Sequence, residues 1–248
     1  MYTELIQKIK EKKSLHNLED HYVQEEINKF LKQNQKLKNK LKEKTLKKKD
    51  KEQIIKEVRN ILNIVYGQFW IGEKLELDSH KSTKERIEDY NEIYQKIFSI
   101  TGKPKTILDL GAGLNILTYK DYPEIHFIAT ELTKIDCEKI KEYYKNNKIN
   151  AEIIQTDLRT HLEFPKADLC FMFKILDTIE KKGHKLAEEL IQKIKAKYIV
   201  VSFSTITVHN QKMNYPKRGW IEQLTKRLEY ETEKFETRNE IFYIIKKN

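Results

Sequence analysis

Residues 106–119 read TILDLGAGLNILTY, and the fold prediction starts from them. A short apolar run leads into Asp109 and Leu110, and Gly111 and Gly113 follow with one alanine between them. Such a run before glycines is typical of a buried β-strand that ends in a tight turn. Because glycine carries no Cβ, the turn can bend sharply and a ligand can approach its backbone. Two interpretations follow, a purely structural turn or a nucleotide-binding turn.

The region after about residue 100 repeats this strand pattern. Short apolar runs alternate with polar stretches of helical character, such as 133–147 and 185–195. The predicted strands are TILDL (106–110), HFIAT (126–130), EIIQT (152–156), DLCFMF (168–173), YIVVSF (198–203) and IFYII (241–245). This alternation predicts a parallel sheet covered by helices on both faces. The C-terminal LEYETEKFETR and NEIFYIIKK (228–247) predict a hairpin with an antiparallel member.

Residues 1 to about 75 have the periodicity of helices. Apolar side chains recur at helical spacing at Leu5, Ile6, Ile9, Val23, Ile27, Phe30 and Leu31. The strongest stripe lies in 54–70 and comprises Ile54, Ile55, Val58, Ile61, Leu62, Val65 and Phe69. The sequence therefore predicts a small helical domain whose last helix has the firmest buried face.

Positive charge is concentrated in that helical region. Between Lys29 and Lys51 eleven lysines face only Glu43 and Asp50, a local net charge of +9 in a chain whose total is +10. A block of this kind is suited to phosphate, which nucleic acid or an anionic membrane supplies in quantity, and the membrane is the weaker of these two expectations. The predicted RNA-binding residues are Lys36, Lys38, Lys40, Lys42, Lys44, Lys47, Lys48 and Lys49. The alternative is a solvated helix face, but the length and one-sidedness of the block favour RNA.

Composition argues against several other classes of protein. No run of 18 apolar residues is present, and the N-terminal residues lack the apolar core of a signal peptide, so we expect a cytoplasmic protein without a membrane partner. Cys137 and Cys170 are too few for a disulfide framework and are not spaced for zinc, so no metal is predicted. The sequence gives no sign of an obligate protein partner.

Acidic residues stand at three predicted strand ends. Asp109 lies two residues before Gly111, where its carboxylate can organise the turn. Glu131 ends the second strand, where an acid can hold both hydroxyls of a ribose. Asp157 ends the third strand beside Leu158, where an acid can meet the edge of an adenine. Since acids at strand ends also occur in unrelated α/β folds, it is their ordered placement that favours a bound cofactor.

The third glycine of the dinucleotide fingerprint is absent, because Leu114, Asn115 and Ile116 follow Gly113. That glycine allows a helix to approach a pyrophosphate closely. Its absence favours a nucleoside ligand without phosphates, and S-adenosylmethionine fits this description.

Five short stretches, taken in order, resemble one family. They are VRNILNIVYGQF (58–69), HKSTKER (80–86), LDLGAGLN (108–115), ADLCFMFKILDTIE (167–180) and NEIFYII (239–245). From about residue 54 onward the chain resembles the Arm/Rmt-type aminoglycoside-resistance 16S rRNA (guanine-N7) methyltransferases. The resemblance implies an α/β class I S-adenosylmethionine-dependent methyltransferase fold, Rossmann-like, with a mostly parallel seven-stranded sheet and an N-terminal α-helical domain. We expect residues 1–76 to dock on rRNA of the 30S subunit and residues 77–248 to bind the cofactor.

The resemblance also implies roles for single residues. Arg86 corresponds to a residue that pairs with the methionine carboxylate of the cofactor, although it could instead pair with Glu85 or Glu88 on its own helix. The other implied cofactor-binding residues are Asp109, Gly111, Gly113, Glu131 (usually aspartate in the family), Asp157, Leu158 and Phe173. Lys174 and Asn115 are the implied catalytic residues beside the cofactor and the target base. Without the resemblance, Lys174 is an ordinary strand-end lysine.

Two departures from the family concern the turn and the target base. The turn reads GAGLNI where the family has a GCGLNP-like sequence. After VVSF the chain has STITVHNQKMN (204–214) in place of a proline and a basic, glycine-containing loop, and only Met213 is recognisable. Because that loop helps to admit the target nucleotide, the cofactor site carries over better than the choice of base.

The predicted activity is methyl transfer from S-adenosylmethionine to guanine N7 in the decoding region of 16S rRNA, which confers aminoglycoside resistance. Guanine N7 carries a lone pair and loses no proton, so the reaction needs no general base. Three alternatives remain open. They are a methyltransferase for another RNA base, a ribosome-binding or assembly factor that retains the fold without turnover, and a small-molecule methyltransferase. The last of these leaves the lysine block unexplained.

Overall fold

The computed structural model describes residues 1–67, 70, 89–180, 183–207, 211–213 and 216–248. Phe69 and the whole 80–86 stretch, including Arg86, lie outside these residues. The chain divides into two compact units, Met1–Lys74 and Leu75–Asn248.

The first unit is helical in its described part. Its helices are α1 (Tyr2–Lys10), α2 (Asp20–Gln33), α3 (Gln35–Lys42) and α4 (Lys48–Val65), with a 3-10 turn at Lys13–Leu15. α4 packs against α1 and α2. The interior of the unit is formed by fully buried aliphatic side chains, among them Ile9, Val23, Ile27, Val58 and Leu62.

The buried stripe of α4 is narrower than its sequence predicts. Ile54, Val58 and Leu62 are fully buried, whereas Ile55, Ile61 and Val65 are only half-buried. The first three are spaced by four residues and therefore lie along a single line on the helix. The helix contacts its neighbours along that line, and the remaining apolar side chains form its rim.

The second unit is an α/β domain. Its strands are β1 (Thr106–Asp109), β2 (His126–Glu131), β3 (Ala151–Gln155), β4 (Ala167–Phe173), β5 (Ala196–Ser204), β6 (Glu231–Glu236) and β7 (Glu240–Lys246). The helices are α5 (Tyr90–Thr101), α6 (Lys134–Asn147), α7 (Leu176–Ile179), α8 (Lys185–Lys193) and α9 (Gly219–Arg227), and a 3-10 helix spans Gly113–Asp121. Each predicted strand is present within one or two residues, and β6 and β7 form the predicted antiparallel hairpin.

The sheet has seven strands in the order β3-β2-β1-β4-β5-β7-β6. The first five strands are parallel, and β7 is antiparallel to both of its neighbours. The chain moves outward from β1 to β3 and then crosses to β4 on the other side of β1. In open α/β sheets this switch point, beyond the carboxyl ends of the strands, is where ligands bind. The candidate residues Asp109, Glu131 and Phe173 all end strands at this edge.

Candidate functional site

The turn after β1 has a backbone conformation that favours glycine. Gly111 and Gly113 have φ angles of +64° and +54°, in the left-handed region. A Cβ on Gly111 would lie 2.8 Å from Cδ1 of Ile175. Gly111 is therefore required by its own backbone and by the packing of Ile175, so the structural interpretation of the turn holds at this position whether or not a ligand binds.

Hydrogen bonds tie this turn to the end of β2. The Gly111 N–H donates to Thr130 Oγ1 at 2.9 Å, and the Gly113 N–H donates to Glu131 Oε1 at 2.6 Å. The Ala112 N–H donates to the Thr130 carbonyl at 3.1 Å. Glu131, the residue predicted to bind the ribose, thus contacts Gly113. Sequence reasoning missed Thr130, although a hydroxyl within the apolar run HFIAT was an available signal.

The surroundings of Glu131 change its acidity. The Thr133 hydroxyl caps α6 by accepting from the Asp136 N–H at 3.1 Å, which holds Asp136 close to the strand end. Burial, reinforced by the Asp136 charge, raises the pKa of Glu131 to about 7 against the opposing hydrogen bonds from Gly113 and Leu132. The carboxyl therefore titrates near neutrality, and hydrogen-bond donors such as hydroxyls favour its ionised form.

A buried polar network supports the turn from below. Asp109 is fully buried, and its Oδ2 accepts from Tyr119 Oη at 2.8 Å and from Asn115 Nδ2 at 3.2 Å. Burial and the Asp109 charge raise the pKa of Tyr119 well above its ordinary range, so this phenol remains a neutral donor. Asp109 thereby links the end of β1 to the 3-10 helix that follows the turn.

Asn115 is buried in the interior of the domain. Its side chain is 4% exposed, and its Oδ1 accepts from Tyr90 Oη at 2.6 Å while its Nδ2 donates to Asp109. Both ends of the amide are used within the interior. A contact between Asn115 and a target base stays a prediction.

Asp157 follows β3 next to the end of β2, where the Thr156 N–H donates to the Glu131 carbonyl at 2.8 Å. Its carboxylate is paired with Arg159, whose Nη2 lies 2.7 Å from Oδ2 and whose Nε lies 3.0 Å and 3.2 Å from the two oxygens. The Arg159 backbone N–H adds a bond of 3.0 Å to Oδ1. The acid predicted for adenine therefore has an intramolecular partner that sequence reasoning missed. The side chain of Leu158 is buried, and no described residue accepts from its backbone N–H.

Phe173 and Lys174 lie at the end of β4. The Phe173 ring is 5% exposed, stacks on Phe171 at 4.5 Å and meets Phe242 edge-on at 5.6 Å. Lys174 Nζ lies 3.2 Å from Glu240 Oε2, and the lysine side chain is 9% exposed. The ammonium group thus contacts a protein carboxylate. A catalytic role for Lys174 stays a prediction.

The lysine block begins near the end of α2, and its eight predicted RNA-binding residues lie on α3, on α4 and on the segment between them. Leu37 and Leu41 anchor α3 in the interior, and the lysines project around them. Lys40 pairs with Asp50 at 2.8 Å, and Lys48 lies 4.0 Å from Glu52. The Lys47 backbone N–H donates to Asp50 Oδ2 at 3.0 Å. The other predicted RNA-binding residues contact no carboxylate of the described chain, namely Lys36, Lys38, Lys42, Lys44 and Lys49. Lys40, Lys47 and Lys48 therefore have acidic neighbours, and the other five predicted lysines offer charge that no carboxylate of the described chain compensates.

Other predicted features concern cysteines and membranes. Cys137 and Cys170 are both buried as free thiols, as expected of small apolar side chains. Within the described ranges, no three His, Cys, Asp or Glu side chains group together as a metal site. None of the helices there is both long enough and apolar enough to span a bilayer.

The decisive comparison is with a family of known proteins. The sequence profile of the family described as ribosomal RNA methyltransferase (FmrO) matches residues 71–244, which is most of the chain. This chain belongs to the FmrO family of ribosomal RNA methyltransferases. The predicted membership is confirmed, and the glycine turn, Glu131 and Glu240 all fall within the matched region.

Individual relatives agree with the FmrO assignment. A 16S rRNA (guanine(1405)-N(7))-methyltransferase of Proteus mirabilis is 31% identical over 140 residues, which cover 53% of this chain and 49% of the relative. The enzyme of the same name from Serratia marcescens is 26% identical over 178 residues, covering 71% and 70%. The chain thus spans about half the length of the first relative and somewhat more of the second.

Solved structures match the FmrO-family chain over its full length. The 16S rRNA methylase RmtB has a TM-score of 0.75 at 21% identity, covering 100% of this chain and 99% of that one. The 16S rRNA methyltransferase RmtF, solved in complex with S-adenosyl-L-homocysteine, has a TM-score of 0.74 at 17% identity, covering 100% and 98%. These likenesses confirm the predicted class I methyltransferase fold with its seven-stranded, mostly parallel sheet.

Proposed function

We propose that this protein is an S-adenosylmethionine-dependent methyltransferase that modifies guanine N7 in the decoding region of 16S rRNA, within the 30S subunit. The observation that carries the proposal is the contact between Gly113 and Glu131 at the switch point of an FmrO-family sheet. The Proteus and Serratia relatives, by their names, methylate N7 of a guanine in 16S rRNA. The relevant compartment is then the cytoplasm, and the cellular outcome is aminoglycoside resistance.

The donors and acceptors at the strand ends fit an adenosyl group. Glu131 offers carboxylate oxygens, which match the two hydroxyl donors of a ribose. Beside it, Asp157 is an acceptor, and the adjacent Leu158 N–H is a donor without a described partner. Adenine presents the complementary pair, an exocyclic amine and a ring nitrogen. Gly111 and Gly113 leave backbone rather than side chains at the remaining side, and Arg86 is assigned to the methionine carboxylate by resemblance.

The chemistry requires alignment rather than proton transfer. When bound, S-adenosylmethionine supplies a methyl group on a positively charged sulfur. Guanine N7 uses a lone pair to accept it and loses no proton, so the residues of this chain need only place N7 in line with the methyl group. Placement of this kind accounts for a large share of many enzymatic rate enhancements, roughly 7–11 kcal/mol in favourable cases. Phe173 at the end of β4 is proposed to wall this site.

Docking on the ribosome is assigned to the lysine block. A base inside a helix must be extruded before it can reach the pocket, at a cost of a few kcal/mol. Phosphate contacts offset such a cost without reading sequence, and they weaken as salt rises. The uncompensated lysines of α3, α4 and the segment between them are suited to this task.

Methyl transfer to isolated 30S subunits tests the proposal, with labelled S-adenosylmethionine and mapping of the modified nucleotide. We expect one guanine N7 to be modified in the decoding region, with little transfer to protein-free 16S rRNA. Glu131→Ala should abolish the transfer. Modification of another base would contradict the substrate assignment and leave the enzyme class intact.

A second function is favoured by one observation, the pairing of Asp157 with Arg159. An acid whose oxygens are engaged by Arg159 would fit a ribosome-binding factor that retains the fold without turnover. Binding of 30S subunits would then be unchanged by Asp157→Ala or Arg86→Ala, and calorimetry would detect no heat with S-adenosylmethionine. Micromolar binding that Asp157→Ala abolishes would exclude this alternative.

A further inference from the structure

The backbone of Lys174 has a conformation that is unusual for its residue type. Its φ is +55°, in the left-handed region where side-chain-bearing residues are uncommon. Its N–H donates to both the carbonyl and the hydroxyl oxygen of Ser202, each at 3.1 Å, and its carbonyl accepts from Thr178 Oγ1 at 3.0 Å. The neighbouring elements hold the chain in this shape as it leaves β4. Such strained residues concentrate at functional sites.

The side chain of Lys174 belongs to a buried polar cluster. Its Nζ lies 3.2 Å from Glu240 Oε2, and the side chains are 9% and 1% exposed. The Ser202 hydroxyl donates to the other oxygen of Glu240, and Ser202 is fully buried. These three residues, here called the Lys174 cluster, connect the ends of β4, β5 and β7.

The Lys174 cluster lies at the base of the segment that follows β5. Ser204, the last residue of β5, pairs with Glu240 in the antiparallel ladder. The Thr205 N–H donates to the Asn239 carbonyl at 2.9 Å, and the Met213 N–H donates back to the Thr205 carbonyl at 2.9 Å. This segment replaces the loop through which, by resemblance, the target nucleotide enters. On its other side the cluster adjoins the end of β4, which neighbours β1 at the switch point.

We propose that Lys174 is a positioning residue, which acts as one unit with Glu240 to fix the start of the segment after β5, at Thr205, against the carboxyl end of β4. This proposal rests on the proposed function, because the segment is taken to align the target guanine. The lysine ammonium lies 3.2 Å from Glu240, and the proposal assigns its effect on the reaction to this ion pair. A buried charge without its partner is strongly unfavourable, so each group needs the other in place.

The proposal and the catalytic alternative differ in one consequence. If Lys174 acts only through the ion pair, removal of both charges together is less harmful than removal of either one. If its charge acts on the cofactor or the base, every variant without the lysine is inactive, whatever stands at position 240. A double-mutant cycle measures this difference.

The experiment compares wild type with Lys174→Met, Glu240→Gln and the double variant Lys174→Met/Glu240→Gln. Methionine is close to lysine in length, and glutamine retains an oxygen that can accept from Ser202. The readouts are kcat and KM for 30S methylation, the Kd for S-adenosylmethionine and the melting temperature. Lys246→Met, Glu231→Gln and their double variant serve as a matched control, because this ion pair of 2.8 Å joins β7 to β6 at the surface.

We expect each single variant to lose about a hundredfold in kcat through misplacement of the target base. The Kd for the cofactor should stay within about twofold, and the double variant should keep more than a tenth of wild-type kcat. A double variant as inactive as Lys174→Met overturns the proposal, and so do single variants with unchanged kcat. If the single variants do not fold, the double variant alone tests the proposal. A kcat above a tenth of the wild-type value supports the proposal, and a kcat below it overturns the proposal. Absence of methylation by wild type contradicts the proposed function instead.

Discussion

Gly113 and Glu131 are eighteen residues apart in the chain, and the Gly113 N–H donates to the Glu131 carboxylate at 2.6 Å. This contact brings a backbone turn and an acid from neighbouring strands to one point at the edge of the sheet. The hydrogen bond also offsets part of the free-energy cost of burying a charged carboxylate, although the pKa of Glu131 remains raised to about 7.

Glu131→Gln should weaken the binding of S-adenosylmethionine by roughly ten- to a hundredfold, because hydrogen bonds to a charged acceptor contribute about 1.5–3 kcal/mol. The amide keeps the size of the side chain but loses the charge that favours hydroxyl donors. Isothermal titration calorimetry at about pH 8 measures the change. Glu142→Gln, an exposed acid on α6, is the matched control and should bind like wild type.

Cofactor affinity and stability should depend on pH in opposite ways. Affinity should rise as pH increases through about 7, because the ionised Glu131 is the better acceptor. The free energy of unfolding should fall as pH rises from 4.5 to about 7. Over this range the folded carboxyl keeps a proton that the unfolded one, with a pKa of 4.5, has lost. The free energy of unfolding that is lost between pH 4.5 and about pH 7 is at most about 3 kcal/mol.

Urea unfolding of wild type and Glu131→Gln from about pH 5 to 8 isolates this contribution, since the glutamine does not titrate. The variant should gain in relative stability as pH rises. A constant difference between the two proteins would show that Glu131 is ionised throughout.

Gly111→Ala should destabilise the second unit by about 1–3 kcal/mol through backbone strain, with an added penalty from the clash with Ile175. Gly219→Ala is the control, because no atom lies within 4 Å of the added Cβ and φ there is not positive. Thermal unfolding compares the two. Introducing Gly111→Ala into an Ile175→Val background, which removes Cδ1, should reduce the penalty. An equal penalty in both backgrounds would leave strain as its only cause.

Removing lysines from the block should lower the salt dependence of 30S binding. For Lys42→Gln/Lys44→Gln/Lys49→Gln, the slope of log affinity against log salt should fall by about 2–3, near 0.7–0.9 for each phosphate contact. The matched control is Lys141→Gln/Lys145→Gln/Lys148→Gln. It removes three exposed lysines of the second unit and changes the net charge by the same amount. Equal slopes for the two triple variants would mean that only net charge matters.

Arg159→Gln should strengthen cofactor binding by roughly three- to tenfold, the value of about one hydrogen bond. The guanidinium and the Arg159 N–H occupy the acceptor positions of Asp157 that an adenine amine needs. Arg227→Gln breaks an exposed pair with Glu188 and should leave affinity unchanged. Weaker binding by Arg159→Gln would instead mean that the arginine holds Asp157 ready for the ligand.

Local patterns in the sequence determined the elements of this protein. Alternating apolar runs and helical stretches were sufficient to predict β1 to β5 and the β6–β7 hairpin. Strands of a covered parallel sheet appear as continuous apolar runs, and helices with one buried face repeat their apolar residues at helical spacing. Glycines at a strand end predicted the turn, since a positive φ is unfavourable for other residues. The position of the acids could also be predicted, because parallel strands place their carboxyl ends at one edge of the sheet.

Contacts between distant elements were decided only by the tertiary structure. Nothing near Lys174 in the sequence distinguishes a side chain that faces a ligand from one that faces Glu240. That pairing depends on strand order and register, and a shift of one residue would turn a strand side chain to the opposite face of the sheet. The Asp157–Arg159 pair is local, two residues apart in the chain, but the side-chain geometry that joins the two was visible only in the structure. The periodicity of a segment reports which of its faces is buried, but the partners on that face come from elsewhere in the chain.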